Sequence, residues 1–179
     1  MDAAAIGYPR TAAGEAITHA QFEAFYARTV MALRGYVRRI AGNAAMVDDI
    51  LQESYIRLLT APPLGEDQRQ AYLYRTATNL VTDYYRSQAR RRHWWERAAP
   101  VVEAADPGMD LASDLERLFA LLTPQERALL WLAYVEGAAH RDIAEILQLK
   151  EKSVKVLLFR ARHKMEAILK EHGFEGSHE

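Results

Sequence analysis

Residues 122–165 read LTPQERALLWLAYVEGAAHRDIAEILQLKEKSVKVLLFRARHKM, and their spacing decides the kind of chain this is. Thr123-Pro124-Gln125-Glu126 is a helix start. Thr accepts an orphan N–H of the first turn, Pro suits the first helical position because it has no N–H to leave unpaired, and Glu reaches back to the N–H of the cap. The apolar run Leu129, Leu130, Leu132, Ala133 follows, and Gly137 ends the helix. Next come a short helix containing Ile143, Ala144 and Leu147, a tight turn at Gln148-Leu149-Lys150, and a second helix with Val154, Leu158, Ala161 and Met165 inward. A small residue where two helices cross, an apolar residue in the turn and a branched one early in the next helix make a helix-turn-helix pattern. The last helix exposes Lys152, Lys155, Phe159, Arg162 and His163 away from its core stripe, an arrangement that suits a nucleic-acid groove and also resembles an ordinary solvated face.

Upstream of this motif the chain is again helical. Phe22, Phe25, Tyr26, Val30, Leu33, Tyr36, Val37 and Ile40 recur at three- and four-residue steps, as one face of a helix requires, and Gly42-Asn43 stops the run. A second helix is predicted from Ala45 to about Leu59, with Val47, Ile50, Leu51, Ser54 and Leu58 inward and Asp48, Asp49, Gln52, Glu53 and Arg57 on the other face. Pro62, Pro63 and Gly65 break the chain within TAPPLGEDQ (residues 60–68), and a long helix from Arg69 to about His93 buries Leu73, Thr76, Ala77, Leu80 and Tyr84. Between the two helical zones, RAAPVVEAADPGMDLASD (residues 97–114) combines Pro, Gly and carboxylates without periodicity and reads as a linker. No strand-like alternation is sustained anywhere. The expectation is an all-α protein: a mobile tail over 1–17, a helical domain over 18–96, the flexible acidic linker over 97–114, a helix-turn-helix domain over 115–172, and a short tail over 173–179.

Composition removes several function classes. The 179 residues contain no cysteine, so disulfides, thiolate zinc sites and thiol nucleophiles are excluded. The six histidines are scattered without an HExxH-type pair, and no glycine-rich phosphate loop is visible. No catalytic residue, metal or cofactor is therefore expected, and an enzyme is the least favoured class. No run approaches the roughly 20 apolar residues that span a bilayer, and the start has no signal-like segment, so a soluble, cytoplasmic protein without direct membrane insertion is expected. Net charge is −1, so an affinity for nucleic acid has to come from local charge. That charge is uneven: the cations of the first helical zone are all arginine, ending in Arg90-Arg91-Arg92, and every lysine lies beyond the linker.

Two stretches in this order carry a resemblance. VDDILQESYIRL (residues 47–58) with QAYLYRTATNLVTDYYRSQARRR (residues 70–92) resembles the second region of the extracytoplasmic-function sigma factors of bacterial RNA polymerase, and residues 122–162 resemble their fourth region. A lone helix-turn-helix would be weak; the ordered pair is specific. The resemblance implies two small helical domains, a DNA-binding specificity subunit, and core RNA polymerase, promoter DNA and an anti-sigma factor of unspecified identity as partners. It implies that Asp48, Asp49, Gln52 and Glu53 contact the polymerase clamp, the bland reading being a solvated helix face. It places Tyr72, Arg75, Asn79, Asp83, Arg86, Arg90, Arg91, Arg92 and Trp94 at the minus-ten element. Stacking aromatics and bidentate arginines suit unpaired bases and phosphates; for the tyrosines, a place in the core is the competing reading. It places Lys152, Ser153, Lys155, Val156, Phe159, Arg160 and Arg162 on the helix that reads the minus-thirty-five element.

The chain also departs from that family's pattern. Gly is usual where Gln148 stands, and Gln held at positive φ costs about 1 kcal/mol. A Ser or Thr cap is usual at Lys150, and Ser and Arg at Val156 and Leu157. Loss of that Arg removes a contact worth about 1–3 kcal/mol. Two other readings stay open on this account: a sigma-like decoy or adaptor, and an ordinary helix-turn-helix regulator, which leaves the acidic face and the Arg-Trp cluster unexplained.

Overall fold

A computed structural model describes residues 17–95 and 117–174, with the side chains of 67 and 89–95 outside the described set. Among the described residues six helices are seen from end to end, a further helical stretch covers 117–120, and no strand occurs. α1 spans His19–Ala41, α2 Val47–Thr60 after a 3-10 turn at Ala44–Met46, and α3 Glu66–Trp95; α4 spans Pro124–Tyr134, α5 His140–Leu147 and α6 Glu151–Glu171. Thr18 starts α1 through a reciprocal capping box with Gln21, and Gly42 at φ 61° ends it by donating its N–H to the Arg38 carbonyl. Thr123 and Glu126 form the second capping box, with Pro124 at the first helical position, as the sequence predicts. Lys164 Nζ lies 2.8 Å from the same Glu126 carboxylate and ties the start of α4 to α6.

The apolar periodicity translates into burial with local exceptions. In α1, Phe25, Leu33, Tyr36, Val37 and Ile40 are buried as expected, but Tyr26 is 43% exposed, stacked 4.8 Å from the Tyr55 ring at the edge of the core. Thr29 takes the inward place one turn on, because its hydroxyl is satisfied by the Phe25 carbonyl at 2.7 Å and by Tyr55 Oη at 2.8 Å. In α3, Leu73, Thr76 and Ala77 are buried, while Leu80 and Tyr84 are half-buried and Tyr74 and Val81 lie deeper. α3 begins at Glu66, three residues before the sequence-based start, because the Gly65 carbonyl accepts the N–H groups of both Gln68 and Arg69.

The turn between α5 and α6 bears out the expected strain. Gln148 sits at φ 54°, ψ 44°, the one positive-φ residue other than glycine among the described residues. It is held there because Leu149 N–H closes on the Ala144 carbonyl at 2.9 Å, which turns the chain into α6. Replacing Gln148 by Gly relieves the clash of Cβ with the backbone, and the larger freedom of unfolded Gly takes part of that gain back. The expected result is a stabilisation of about 0.5–1 kcal/mol. An upward shift of the urea midpoint at constant slope checks it, and a downward shift counts against it.

The two helical zones do not hold two separate cores. Leu33, Tyr36 and Ile40 of α1 and Leu73, Tyr74 and Ala77 of α3 belong to one continuous buried cluster with Ala128, Leu129 and Leu132 of α4, Ile143 and Ile146 of α5 and Val154 of α6. α5 packs along α3 and α4 along α1. A smaller cluster, Leu118, Leu122, Leu130, Ala161 and Ile168, lies within the second zone. At the seam, Arg39 of α1 lies 5.7 Å from the ring centroids of both Phe119 and Trp131. Trp131 Nε1 donates to Glu136 at 3.0 Å, and the Arg127 side chain comes so close to Gly42 that a Cβ there would meet it at 2.5 Å.

Candidate nucleic-acid and partner surfaces

Each group of residues singled out in the sequence falls on its own helix, and the structure places the groups as three surfaces. The first is the outer face of α2. Asp48, Asp49 and Gln52 are exposed and Glu53 is half-buried. Asp48 and Asp49 stand in the first turn, where carboxylates are favoured by the positive end of the helix dipole. Asp48 is 2.7 Å from Arg34 of α1 and Glu53 is 2.7 Å from Arg57 one turn on, whereas Asp49 has no ion-pair partner among the described residues. Beside the acids runs a shallow groove bordered by Tyr26, Leu51, Tyr55, Ile56 and Leu59, in which Tyr26, Ile56 and Leu59 are exposed. Sequence reasoning missed this apolar strip. Its signal was present, since Ile56 and Leu59 are apolar but fall outside the inward register of Ile50, Leu51, Ser54 and Leu58.

The second surface follows α3, where Tyr72, Arg75, Asn79, Asp83 and Arg86 recur at three- and four-residue steps. Asn79, Asp83 and Arg86 are exposed, with Arg86 at 3.7 Å from Asp83. Tyr72 is half-buried and its hydroxyl points to the Arg57 carbonyl at 3.5 Å. Arg75 is buried, its guanidinium 5.7 Å from the Tyr72 ring centroid. A buried arginine under an aromatic ring supports the tyrosine more directly than it meets a ligand. Arg90, Arg91, Arg92 and Trp94 continue the helix, and their side chains lie outside the described residues.

The third surface is α6. Lys152, Lys155, Val156, Phe159, Arg160 and Arg162 are exposed and Ser153 is half-buried in the first turn. Lys152 and Lys155 share an open depression with Lys150, Glu151 and His140. Phe159 stacks edge-on against His163 at 4.1 Å, and Glu166 lies 3.7 Å from Arg162 and 3.1 Å from His163. Val156 faces outward, while Leu157 is half-buried against the core, so the residue at the position of the family's arginine here serves packing.

Three tyrosines and one glutamate have shifted titration; burial raises the Tyr55 hydroxyl, against the opposing hydrogen bond to Thr29. Burial pushes the Tyr36 and Tyr74 hydroxyls well above the usual phenol range, and the Glu136 carboxylate adds to this at both. Burial by itself raises the Glu126 carboxyl, but Lys164 and the Thr123 cap outweigh it and hold the group below its ordinary value. Of these groups, Tyr55 borders the groove beside α2, and the others lie away from the three surfaces. No cluster of His, Asp and Glu among the described residues has the grouping of a metal site, and no described helix is long and apolar enough to cross a membrane.

Comparison with known proteins places both halves. Sigma-70 region 2 matches residues 25–91 and sigma-70 region 4 matches residues 112–165. The ECF RNA polymerase sigma factor SigE of Mycolicibacterium smegmatis is 28% identical over 149 residues, covering 76% of this chain and 57% of the relative; the chain thus spans little more than half of that protein. SigL of Mycobacterium tuberculosis, also an ECF RNA polymerase sigma factor, is 27% identical over 172 residues, covering 92% and 97% of the two chains. Among solved structures, the sigma factor RpoE of Bartonella quintana, in complex with the anti-sigma factor NepR, superposes with a TM-score of 0.69 at 18% identity, over 83% of this chain and 96% of that one. At that identity the likeness speaks for the fold.

Proposed function

We infer that this chain, which belongs to the extracytoplasmic-function sigma factors of the sigma-70 family, is a non-catalytic specificity subunit that brings core RNA polymerase to promoter DNA. The observation that carries this reading is the pairing of region 2 and region 4 on one chain, in that order. Within it, the acidic face of α2 around Asp49, with the apolar strip beside it, docks on polymerase. Charge makes such a contact selective, and apolar area gives it strength. The α3 stripe, with Tyr72, Asn79 and Arg86 accessible and Arg90, Arg91, Arg92 and Trp94 further along, handles the minus-ten element. The outer face of α6 approaches the minus-thirty-five element. Regulation by an anti-sigma factor belongs to the same reading, as RpoE is held by NepR.

On α6 the polar contacts available to DNA are mostly cationic, and Val156 offers at most a methyl contact to thymine. Binding of the minus-thirty-five element therefore rests on phosphate contacts, which position a protein without carrying much sequence information. Transcription reconstituted from core polymerase, this protein and a pool of genomic promoters tests the whole reading. Promoter-specific transcripts are expected, and their absence despite tight core binding favours the decoy. Lys155→Ala is expected to weaken promoter affinity and to reduce the salt slope by about 0.9, measured by fluorescence anisotropy of the holoenzyme on duplex DNA. Unaltered affinity and transcription would move the function of α6 to a protein partner.

A further inference from the structure

Where the two helical zones meet, the end of α1 and the segment from Phe119 to Arg127 line a half-open pocket of about 200 Å³, with Arg38, Arg39 and Asn43 on one side and Phe119 and Arg127 on the other. Three arginines and one asparagine line a space of that size, and no carboxylate residue does so among the described residues. Arg38 and Arg39 have interactions of their own. Arg127 is different. It is 4% exposed, its Nε–H has no acceptor, and among the described residues its Nη1 reaches the Arg39 carbonyl at 3.5 Å and its guanidinium lies 5.9 Å from the Tyr85 ring centroid. A guanidinium presents donors in a fixed planar fork that matches the oxygens of an oxyanion, and a buried charge without a counter-charge is strongly disfavoured. The sigma-factor reading uses neither the pocket nor Arg127.

We propose that this pocket is a binding site for a small phosphate-class oxyanion, either inorganic phosphate or the phosphate group of a small phosphorylated metabolite, held by Arg127 together with Arg38, Arg39 and Asn43. The volume admits a phosphate and a few further atoms and excludes a duplex backbone. Because the wall comes from both helical zones, the site exists only while they are packed together, so an occupied site stabilises the packed form by mass action. The inference is independent of how the protein meets promoter DNA.

The test uses the full chain and titrates inorganic phosphate and pyrophosphate against chloride at matched ionic strength, with binding read by isothermal calorimetry and stability by thermal unfolding. One saturable site is expected, with a rise in Tm of about 5–10 °C at phosphate 100-fold above its Kd. Arg127→Gln is expected to abolish saturable binding. Since that residue is buried, the exposed Arg38→Gln serves as the second variant and is expected to lower the affinity about tenfold, with helical content followed beside it to confirm the fold. Phosphate that acts no differently from chloride, or binding that survives in both variants, would overturn the proposal. A short duplex that displaces phosphate competitively, with loss of its own binding in Arg127→Gln, would overturn the small-ligand assignment in favour of a nucleic-acid phosphate.

Discussion

Reversing the charge at Asp49 and Glu53 together lowers affinity for core RNA polymerase by roughly 30- to 150-fold, or about 2–3 kcal/mol, and leaves the fold standing. The expectation follows from the different situations of the two side chains. Asp49 is exposed in the first turn of α2 and has no ion pair among the described residues, so its charge is available to a partner at no cost to a described contact. Glu53 is engaged with Arg57 at 2.7 Å, but both side chains are nearly half exposed, and surface pairs of this kind contribute under about 1 kcal/mol to stability. The inward residues Ile50, Leu51 and Ser54 are untouched. Core binding measured by fluorescence, beside urea unfolding of the same variant, separates the two effects. Full affinity with the reversed charges would remove the α2 face from the polymerase contact.

Stability falls steeply above pH 10, by about 2.7 kcal/mol per pH unit from the two most strongly shifted tyrosines, Tyr36 and Tyr74, counted together. Tyr36 and Tyr74 are almost wholly buried, and desolvation raises both phenols above their unfolded value of 10.0. The unfolded chain therefore ionises first. Stability is complete below pH 10 and is lost as the pH climbs beyond it, because deprotonation favours the state in which the phenolate is hydrated. Tyr36 donates to or accepts from Thr78 at 2.6 Å, whereas the Tyr74 hydroxyl has no hydrogen-bond partner of normal geometry. Tyr74→Phe is accordingly expected to remove about half of this contribution with little loss at pH 7, and Tyr36→Phe the other half at the cost of one hydrogen bond, about 1 kcal/mol. Denaturant midpoints at pH 9, 10 and 11, with tyrosinate absorbance followed in parallel, decide the matter. Absorbance that appears before unfolding begins would mean that the phenols are not held back by burial.

Local rules made the helices legible. The capping box at Thr123, the glycine at the end of α1 and the 3.6-residue stripes are short-range signals, and each is where local chemistry puts it. The helix-turn-helix was legible down to the strain at Gln148, because the turn geometry allows few alternatives. The acidic α2 face and the basic α6 face could be read as exposed for the same reason. The joint between the zones could not. That Leu129 packs in one cluster with Leu33, and that Arg127 is buried at the end of α1, depends on tertiary contacts across some ninety positions of sequence, which periodicity does not encode. Arg75 shows the same limit in small. Its spacing on α3 is that of a ligand contact, and only packing reveals that it is buried beside Tyr72.

The common cluster that α1 and α3 form with α4 and α5 also bears on what a calorimeter would record. Sequence composition divides the chain at residues 97–114, but the apolar faces on either side of that division are each other's solvent shield. Heating cannot melt one without wetting the other. The endotherm should therefore be a single transition whose van't Hoff and calorimetric enthalpies agree. By the same coupling, a protein that pulls the halves apart has to cover the faces it uncovers, so the work of opening is set by the area of the seam.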